Sequence, residues 1–322
     1  MNIQHLNRDY FKDVLFGLSI GDALGVPFEF KNRDYFYAQP VTDMEGYGTY
    51  NQPPGTFSDD SSMAFCLAEA LTHGYDVEWI ANNFISWLHN RYWTAHDEVF
   101  DVGISTSKAI RQLVLKVPPV LAGGADVSDN GNGSLMRILP LIFYIRYLPE
   151  TERFKKVSEV SSITHRHPIS ITACYYYLEF ARLILNGENK MSAYKILQSS
   201  FKDSINKLLP DNSHLQLFDR LLKNDIHTLK SNAIESNGFV LSTLEASIWC
   251  VLTTGSFKEA TLKAVNLGGD TDTTASVTGG LAALLYGWKA IPDRWMSMLA
   301  KREEISDLAD RLKTTIEKHY GV

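Results

Sequence analysis

Apolar residues recur along most of this chain with the period of a helix. In 76–90, Trp79, Ile80, Phe84, Trp87 and Leu88 form one stripe, with Asp76 positioned to cap the first turn. In 168–187, Pro168 stands where a first-turn proline belongs, an apolar run follows through Tyr175, Leu178, Phe180 and Leu185, and Gly187 ends it. The same spacing predicts helices over 9–24, 61–73, 103–116, 134–148, 153–163, 191–208, 214–223, 239–254, 256–266, 273–288 and 292–318. Pro140 should kink or interrupt its segment. Alternation of the β type is scarce, and 36–57 holds the best candidates for extended chain. The expected fold is all-α, with the chemistry on loops that lead into helices.

One helix stands apart. TDTTASVTGGLAALLYG carries Ala275, Gly279, Gly280, Ala282 and Ala283, and glycine inside a helix costs about 1 kcal/mol relative to alanine. Close approach of a neighbouring backbone would compensate, which puts this helix and the loop before it at the centre of the protein.

That loop is one of two acidic clusters far apart in the chain: Ser58, Asp59 and Asp60 in GTFSDDSSM, and Asp270, Asp272 and Thr273 in NLGGDTDTTASVTGG. Bringing several carboxylates together costs free energy unless protons or cations neutralise them. Oxygen donors with no Cys or His among them suit magnesium, manganese or calcium rather than zinc. Gly268 and Gly269 permit the tight backbone on which Asp270 and Asp272 can converge. Capping competes with this reading, since Asp, Ser and Thr are favoured at helix starts. Each cluster holds more acid than a cap needs.

Bulk properties narrow the classes. The chain has 322 residues, 45% of them hydrophobic. The length prior of about 150 residues per domain suggests two domains, but no linker, low-complexity stretch or short repeat divides the chain. One domain over 1–322 is expected. A net charge of −6, from 31 basic and 37 acidic residues without a charged tail, lacks the footprint of a nucleic-acid binder. Cys66, Cys174 and Cys250 sit in apolar helical patterns and read as reduced core thiols. The polar N-terminus MNIQHLNRDYFKD reads as neither a signal nor a transit peptide, and no apolar run reaches the ~18 residues of a membrane span. A cytoplasmic monomer is the expectation.

Four further segments need explanation. GLSIGDALGVPFEF sets Asp22 among small residues and Glu29 among Val26, Phe28 and Phe30, where a carboxylate is costly unless paired or metal-bound. FDVGISTS contributes Asp101 and Gly103 at a helix start, and Asp101 would also serve as a cap. SDNGNGSLMR, with Asn130, Gly131, Asn132, Gly133 and Ser134, offers clustered backbone N–H groups ahead of a helix, suited to a phosphate or to no more than a turn. ITHRHP places His165 and His167 before a helix, where a histidine can cap as well as bind. Arg137 reads as a structural ion-pair partner, and Tyr175, Tyr176 and Tyr177, pointing three ways round a helix, as core.

Taken in order, GDALGVPFE, TFSDDSSM, FDVG, GNGSLMR, THRHP and NLGGDTDTTASVTGGLAALLYG resemble the ADP-ribosylglycohydrolase family, over about residues 11–290. The resemblance implies a single orthogonal all-α domain with a binuclear Mg2+ centre, Mn2+ being an alternative, at the bottom of a cleft. The family's metal motifs fall on Ser58, Asp59, Asp60, Asp270, Asp272 and Thr273. Its glutamate after GD-x-x-G falls on Glu29, a mobile ligand or proton carrier. Two departures are Ser58 where many relatives have threonine, which keeps the oxygen, and Ile104 where a polar residue is common, which leaves acceptor preference open.

The reaction so implied is hydrolysis of the bond between C1″ of ADP-ribose and a modified protein side chain, arginine first, releasing ADP-ribose. Glu29 and Asp60 would steer the water. Asp101, Gly103, the 130–134 loop and His165 would bind substrate. No further carboxylate in these motifs reads as a general acid, which suits a guanidinium leaving group. O-linked ADP-ribose on serine, a silent ADP-ribose-binding or structural relative, and a metal-dependent phosphohydrolase are the alternatives.

Overall fold

In the computed structural model, which describes residues 8–321, eleven helices of nine or more residues form the frame: α1 (Tyr10–Gly25), α2 (Asp59–Leu71), α3 (Val77–Asn90), α4 (Ile104–Val114), α5 (Glu150–Ser162), α6 (Pro168–Leu185), α7 (Lys190–Leu208), α8 (Val240–Leu252), α9 (Phe257–Val265), α10 (Thr271–Tyr286) and α11 (Arg302–Tyr320). Residues 1–7, on which the leader-peptide expectation partly rests, lie outside the described residues. Among the described residues, no helix is long and apolar enough to cross a membrane.

Three helices are buried on every side: α1 from Asp13 to Gly25, α8 along its whole length and α10 from Thr271 to Leu284. An all-round apolar or small-residue helix has no solvent face to offer and must sit inside. The helices α1 and α10 pack on each other more extensively than any other pair, α8 and α9 pack chiefly on α10, and α2 and α11 pack on α1. The outer helices carry one buried stripe each. In α11 it is Ile305, Leu308, Ala309, Leu312 and Ile316. In α3 it is Ile80, Ala81, Phe84 and Trp87, with Trp79 left 46% exposed at the edge of the stripe expected from sequence. Asp76 accepts from the backbone of Glu78 and Trp79, and Pro168 opens α6. The three tyrosines of α6 are core, and all three cysteines are buried and free.

The close approach expected of α10 is to α1. Gly17, Gly21 and Gly25 recur every fourth residue on α1 and face Ala275, Gly279 and Ala283 of α10. A Cβ on Gly21 would lie 2.0 Å from the Ala275 carbonyl oxygen, and one on Gly25 2.3 Å from Asp272 Cα. Backbone therefore rests on backbone, and Asp22 and Asp272 are drawn together as a consequence.

Four segments differ from expectation, and the first is 214–223, a 3-10 stretch at Ser213–Phe218 followed by one helical turn at Asp219–Leu222. Residues 36–57 form no strand: their backbone is satisfied by other groups, as where Asn266 bonds both N–H and C=O of Val41, and Thr49 N–H donates to Pro27 O. The 134–148 segment breaks into a 3-10 turn at Asn132–Ser134, another at Leu139–Leu141 around Pro140, and one helical turn at Ile142–Ile145. The 292–318 segment breaks after Met298, where Ala300 N–H bonds Gly55 O and Lys301 takes a left-handed φ of 53°. The bridges Gly124 to His165 and Gly131 to Phe239 are the β-type pairings among the described residues.

In an exposed helix Gly→Ala would stabilise by about 1 kcal/mol. At Gly21 the sign reverses, because the added methyl meets a carbonyl that cannot give without moving a helix, a strain of about 1–3 kcal/mol. Gly21→Ala is expected to lower Tm by several degrees in a thermal melt, and an unchanged or raised Tm would refute this packing.

Candidate metal centre

Three helix ends meet where α1 stops and α2 and α10 begin. Asp22, in the last turn of α1, accepts from Ser58 N (3.0 Å), Ser61 N (3.0 Å) and Ser61 Oγ (2.5 Å), fastening the start of α2 to α1. Thr271 Oγ1 donates to Gly25 O (2.7 Å), fastening the start of α10 to the same place. Gly268 and Gly269 both take left-handed backbone, φ 76° and 73°, to turn the chain into α10. The positive ends of two helix dipoles thus point at the acids gathered there.

Two groups of carboxylates result, with oxygens inside each group all within 4.8 Å of one another: Asp22, Asp60 and Asp272, and Glu29, Asp101 and Asp272. Asp272 belongs to both. Four oxygens, Glu29 Oε2, Asp60 Oδ1, Asp270 Oδ1 and Asp272 Oδ2, are buried without a hydrogen-bond partner. Buried polar atoms are nearly always partnered, so four orphans on acids in one place fit hard cations held by oxygen donors. Ser58 Oγ and Thr273 Oγ1 both donate to Asp60 Oδ2, at 3.2 and 3.3 Å. Asp59 is buried beside them but in neither group.

Capping does not account for these acids. The cap of α2 is Ser58, with Asp22 on the following N–H groups. Asp270 is the residue before α10, yet its side chain makes no capping bond and instead accepts from Asn132 Nδ2 at 2.8 Å. The N-cap of α4 is Gly103, so Asp101 is no cap either. Asp101 joins Glu29, providing the second carboxylate that sequence reading did not find there. Tyr50 OH donates to Asp101 Oδ1 (2.7 Å), and Thr49 Oγ1 donates to Glu29 O (2.8 Å). Asp22 and Tyr50 are the residues the sequence did not assign. A buried aspartate among glycines was the available signal for the first, and nothing local marks the second.

Burial is the main cause of every raised carboxyl at this centre. It pushes Glu29 up to about 9, helped by Asp101, and Asp22 up to about 6, against the pull of its Ser61 and Ser58 bonds. Asp59, Asp60 and Asp272 rise well above the usual range by burial and then mutual repulsion, and Asp270 rises despite its Asn132 bond.

The 130–134 loop stands beside this centre. Asn132 Nδ2 bonds Asp270 and Thr243 Oγ1, and its N–H bonds Gly238 O. Asn130 spends its side chain on Val127 O and Ser170, and Ser134 on Ser161 and Cys174, which leaves those two only backbone to offer a ligand. No long helix follows, so the helix-dipole part of the anion expectation falls away. Arg137 makes no ion pair: it donates to Gly133 O and Val160 O and lies 4.9 Å over the Phe84 ring. His165 is buried against Gly131 and Gly133, with Nδ1 on Thr164 Oγ1 at 2.7 Å, and burial lowers its pKa to about 3, so it is neutral. The capping histidine of α6 is His167. Gly103 is exposed, and a Cβ there would meet Thr106 Oγ1 at 3.7 Å, an ordinary contact.

A carboxyl raised in the folded state contributes stability below its unfolded pKa and loses it as pH rises through the folded value. His165, depressed, acts oppositely, but only below its unfolded value of 6.5. Between about pH 7 and about pH 8.5 the raised acids alone remain, so the metal-stripped protein is expected to melt at lower temperature as pH rises. Magnesium or manganese at about 100 times Kd should add about 2.7 kcal/mol, with the larger gain at the higher pH. Scanning calorimetry of stripped and loaded protein checks this; a stripped protein whose Tm is flat or rises over that range contradicts it.

Comparison with known proteins agrees with this arrangement. The ADP-ribosylglycohydrolase family profile matches residues 4–321. The chain is 32% identical to the ADP-ribosylarginine hydrolase Tri1 of Serratia proteamaculans over 94% of its own length and 79% of that protein's. It is 27% identical to the ADP-ribosyl-(dinitrogen reductase) glycohydrolase of Rhodospirillum rubrum, over 89% of each chain. A solved chain described as an ADP-ribosylglycohydrolase-related protein complex aligns with a TM-score of 0.79 at 29% identity, covering 96% of this chain and 98% of that one. Similarity that runs the length of the fold, and not its acidic motifs alone, means that this chain belongs to the ADP-ribosylglycohydrolase family.

Proposed function

We propose that this protein is a divalent-cation-dependent hydrolase that removes ADP-ribose from modified protein side chains, arginine first. The four orphan carboxylate oxygens carry the reading, because buried acids left without partners are costly unless protons or cations neutralise them. The names of the Serratia and Rhodospirillum relatives supply the substrate class. The ions are read as Mg2+ or Mn2+, two of them, which the two carboxylate groups sharing Asp272 would hold. The protein is further read as one domain and as a cytoplasmic monomer, the family match over 4–321 supporting the first.

Asp60, Asp272 and Asp270, with the hydroxyls of Ser58 and Thr273, would hold the cations, and Asp59 would add charge to balance them. Bound there, such ions orient the ribose hydroxyls and lower the pKa of water. Glu29 would take the proton from the attacking water. Cationic neighbours bring its raised pKa down toward neutrality, the range in which a general base works. Burial, with Asp101 adding to it, keeps Glu29 from ionising without them. Backbone of Gly131 and Gly133 would receive the pyrophosphate, with neutral His165 behind it and Gly103 leaving room opposite. The C1″ to nitrogen bond breaks as oxocarbenium character develops, the guanidine leaves with the electron pair, and water closes the sugar as free ADP-ribose.

Release of ADP-ribose from an arginine-ADP-ribosylated protein, read by mass spectrometry with and without Mg2+ or Mn2+, tests this. Wild type should release intact ADP-ribose only with metal, and Asp60→Ala and Asp272→Ala should each lose at least about 100-fold, the upper end of what disturbing a ligand's support costs. AMP as product would mean phosphohydrolase chemistry. Tight ADP-ribose binding without release from arginine or serine linkages would mean a silent binder. Glu29→Gln should cut kcat by about 10²–10⁴-fold while ADP-ribose affinity stays within a few-fold, and an equal loss of affinity would remove Glu29 from proton transfer.

A further inference from the structure

Two aromatic side chains stand in solvent on backbone that resists them. Phe30 is 71% exposed with φ 65°, and Tyr47 is 63% exposed with φ 69°. Left-handed backbone is disfavoured for any residue with a Cβ and exceptional for a bulky one. Neither ring belongs to the hydrophobic core or packs at its edge, so core burial does not offset the strain. Such outliers persist where the surroundings over-determine them, and they cluster at functional sites.

Both residues flank Glu29. Phe30 follows it directly and is pinned by N–H to Gly269 O at 2.8 Å, beside Asp270. Tyr47 begins the turn whose Thr49 bonds Pro27 O and Glu29 O, and whose Tyr50 bonds Asp101. Gly48 of that turn lies so close that a Cβ would sit 1.7 Å from Pro27 O. The two rings are therefore mounted on rigid supports. Ile104, 75% exposed, stands three residues after Asp101.

We propose that Phe30 and Tyr47 form the surface that receives the acceptor polypeptide around its modified side chain. The inference rests on the function proposed above. If Glu29 works at C1″, the rings beside it stand at the acceptor's end of the broken bond, while the 130–134 loop and His165 lie toward the diphosphate. Rigid exposed aromatics lose little conformational entropy on contact and dominate interface energetics.

Glycine is the decisive substitution, since it relieves the left-handed strain as it removes the ring. Phe30→Gly and Tyr47→Gly would be compared with wild type for kcat/KM on an arginine-ADP-ribosylated protein that the wild type cleaves and on free ADP-ribosyl-arginine, for ADP-ribose affinity, and for Tm. The expected result is at least about a tenfold loss on the protein, carried by KM. Activity on free ADP-ribosyl-arginine should stay within about twofold, ADP-ribose affinity should hold, and Tm should be equal or higher. Phe30→Trp should retain activity on the protein. Equal losses on both substrates, or loss of ADP-ribose affinity, would assign the rings to the nucleotide or the fold and overturn the proposal, as would no loss on either. Wild type inactive on both substrates would sink the hydrolase reading itself, and this inference with it.

Discussion

Everything at the site depends on how closely two backbones can approach. On α1, Gly17 meets Gly279 and Ala283 of α10, Gly21 meets Ala275, and Gly25 meets the backbone of Asp272, with nothing larger than a methyl group between the helices. Helices separated by ordinary side chains would hold Asp22 and Asp272 apart, and the carboxylates of the centre would not share one space. The glycines forfeit helix propensity along both helices. What is gained is a rigid central pair that fixes three helix ends, including the turn at Gly268 and Gly269 that aims Asp270 and Asp272.

Opposed to that packing is the charge it gathers. Burial and mutual repulsion push the acids upward together, so gathering them is a source of instability that the rest of the fold must hold against. Two helix N-termini, and the Ser58, Thr273 and Asn132 bonds to Asp60 and Asp270, offset part of it. None of these supplies a full positive charge. A cation does, and the coupling of metal to stability follows from the same cluster that would couple metal to activity.

Much of this was legible in sequence because it is local. Helix period, the Asp76 cap, the proline at the start of α6, the small-residue run of α10 and the two acidic clusters are all written within a few neighbouring residues, and each reappears in the structure. What was not legible is pairing at a distance. That the partner of α10 is α1 required matching one stripe of small residues to another across the whole chain. That Asp101 stands with Glu29 required knowing where the 47–50 turn lies. The breaks at 134–148 and 292–318 have the same origin: apolar spacing continues through both, but distant groups such as Gly55 O claim the backbone.

Accounting for partners separates the acids that support the site from those that would act in it. Asp22 sits in the cluster by distance, yet its oxygens accept the N–H groups of Ser58 and Ser61 and the Ser61 hydroxyl. It is committed to holding α2 in place. Asp60, Asp270, Asp272 and Glu29 each keep one oxygen bonded to nothing. Proximity alone would rank Asp22 with them, and the unsatisfied lone pairs rank it apart. Other buried side-chain atoms lack a partner too, Trp93 Nε1 and the Tyr175 and Tyr176 hydroxyls among them, but the four carboxylate oxygens are acceptors gathered on acids in one place, and that gathering is what a cation would answer.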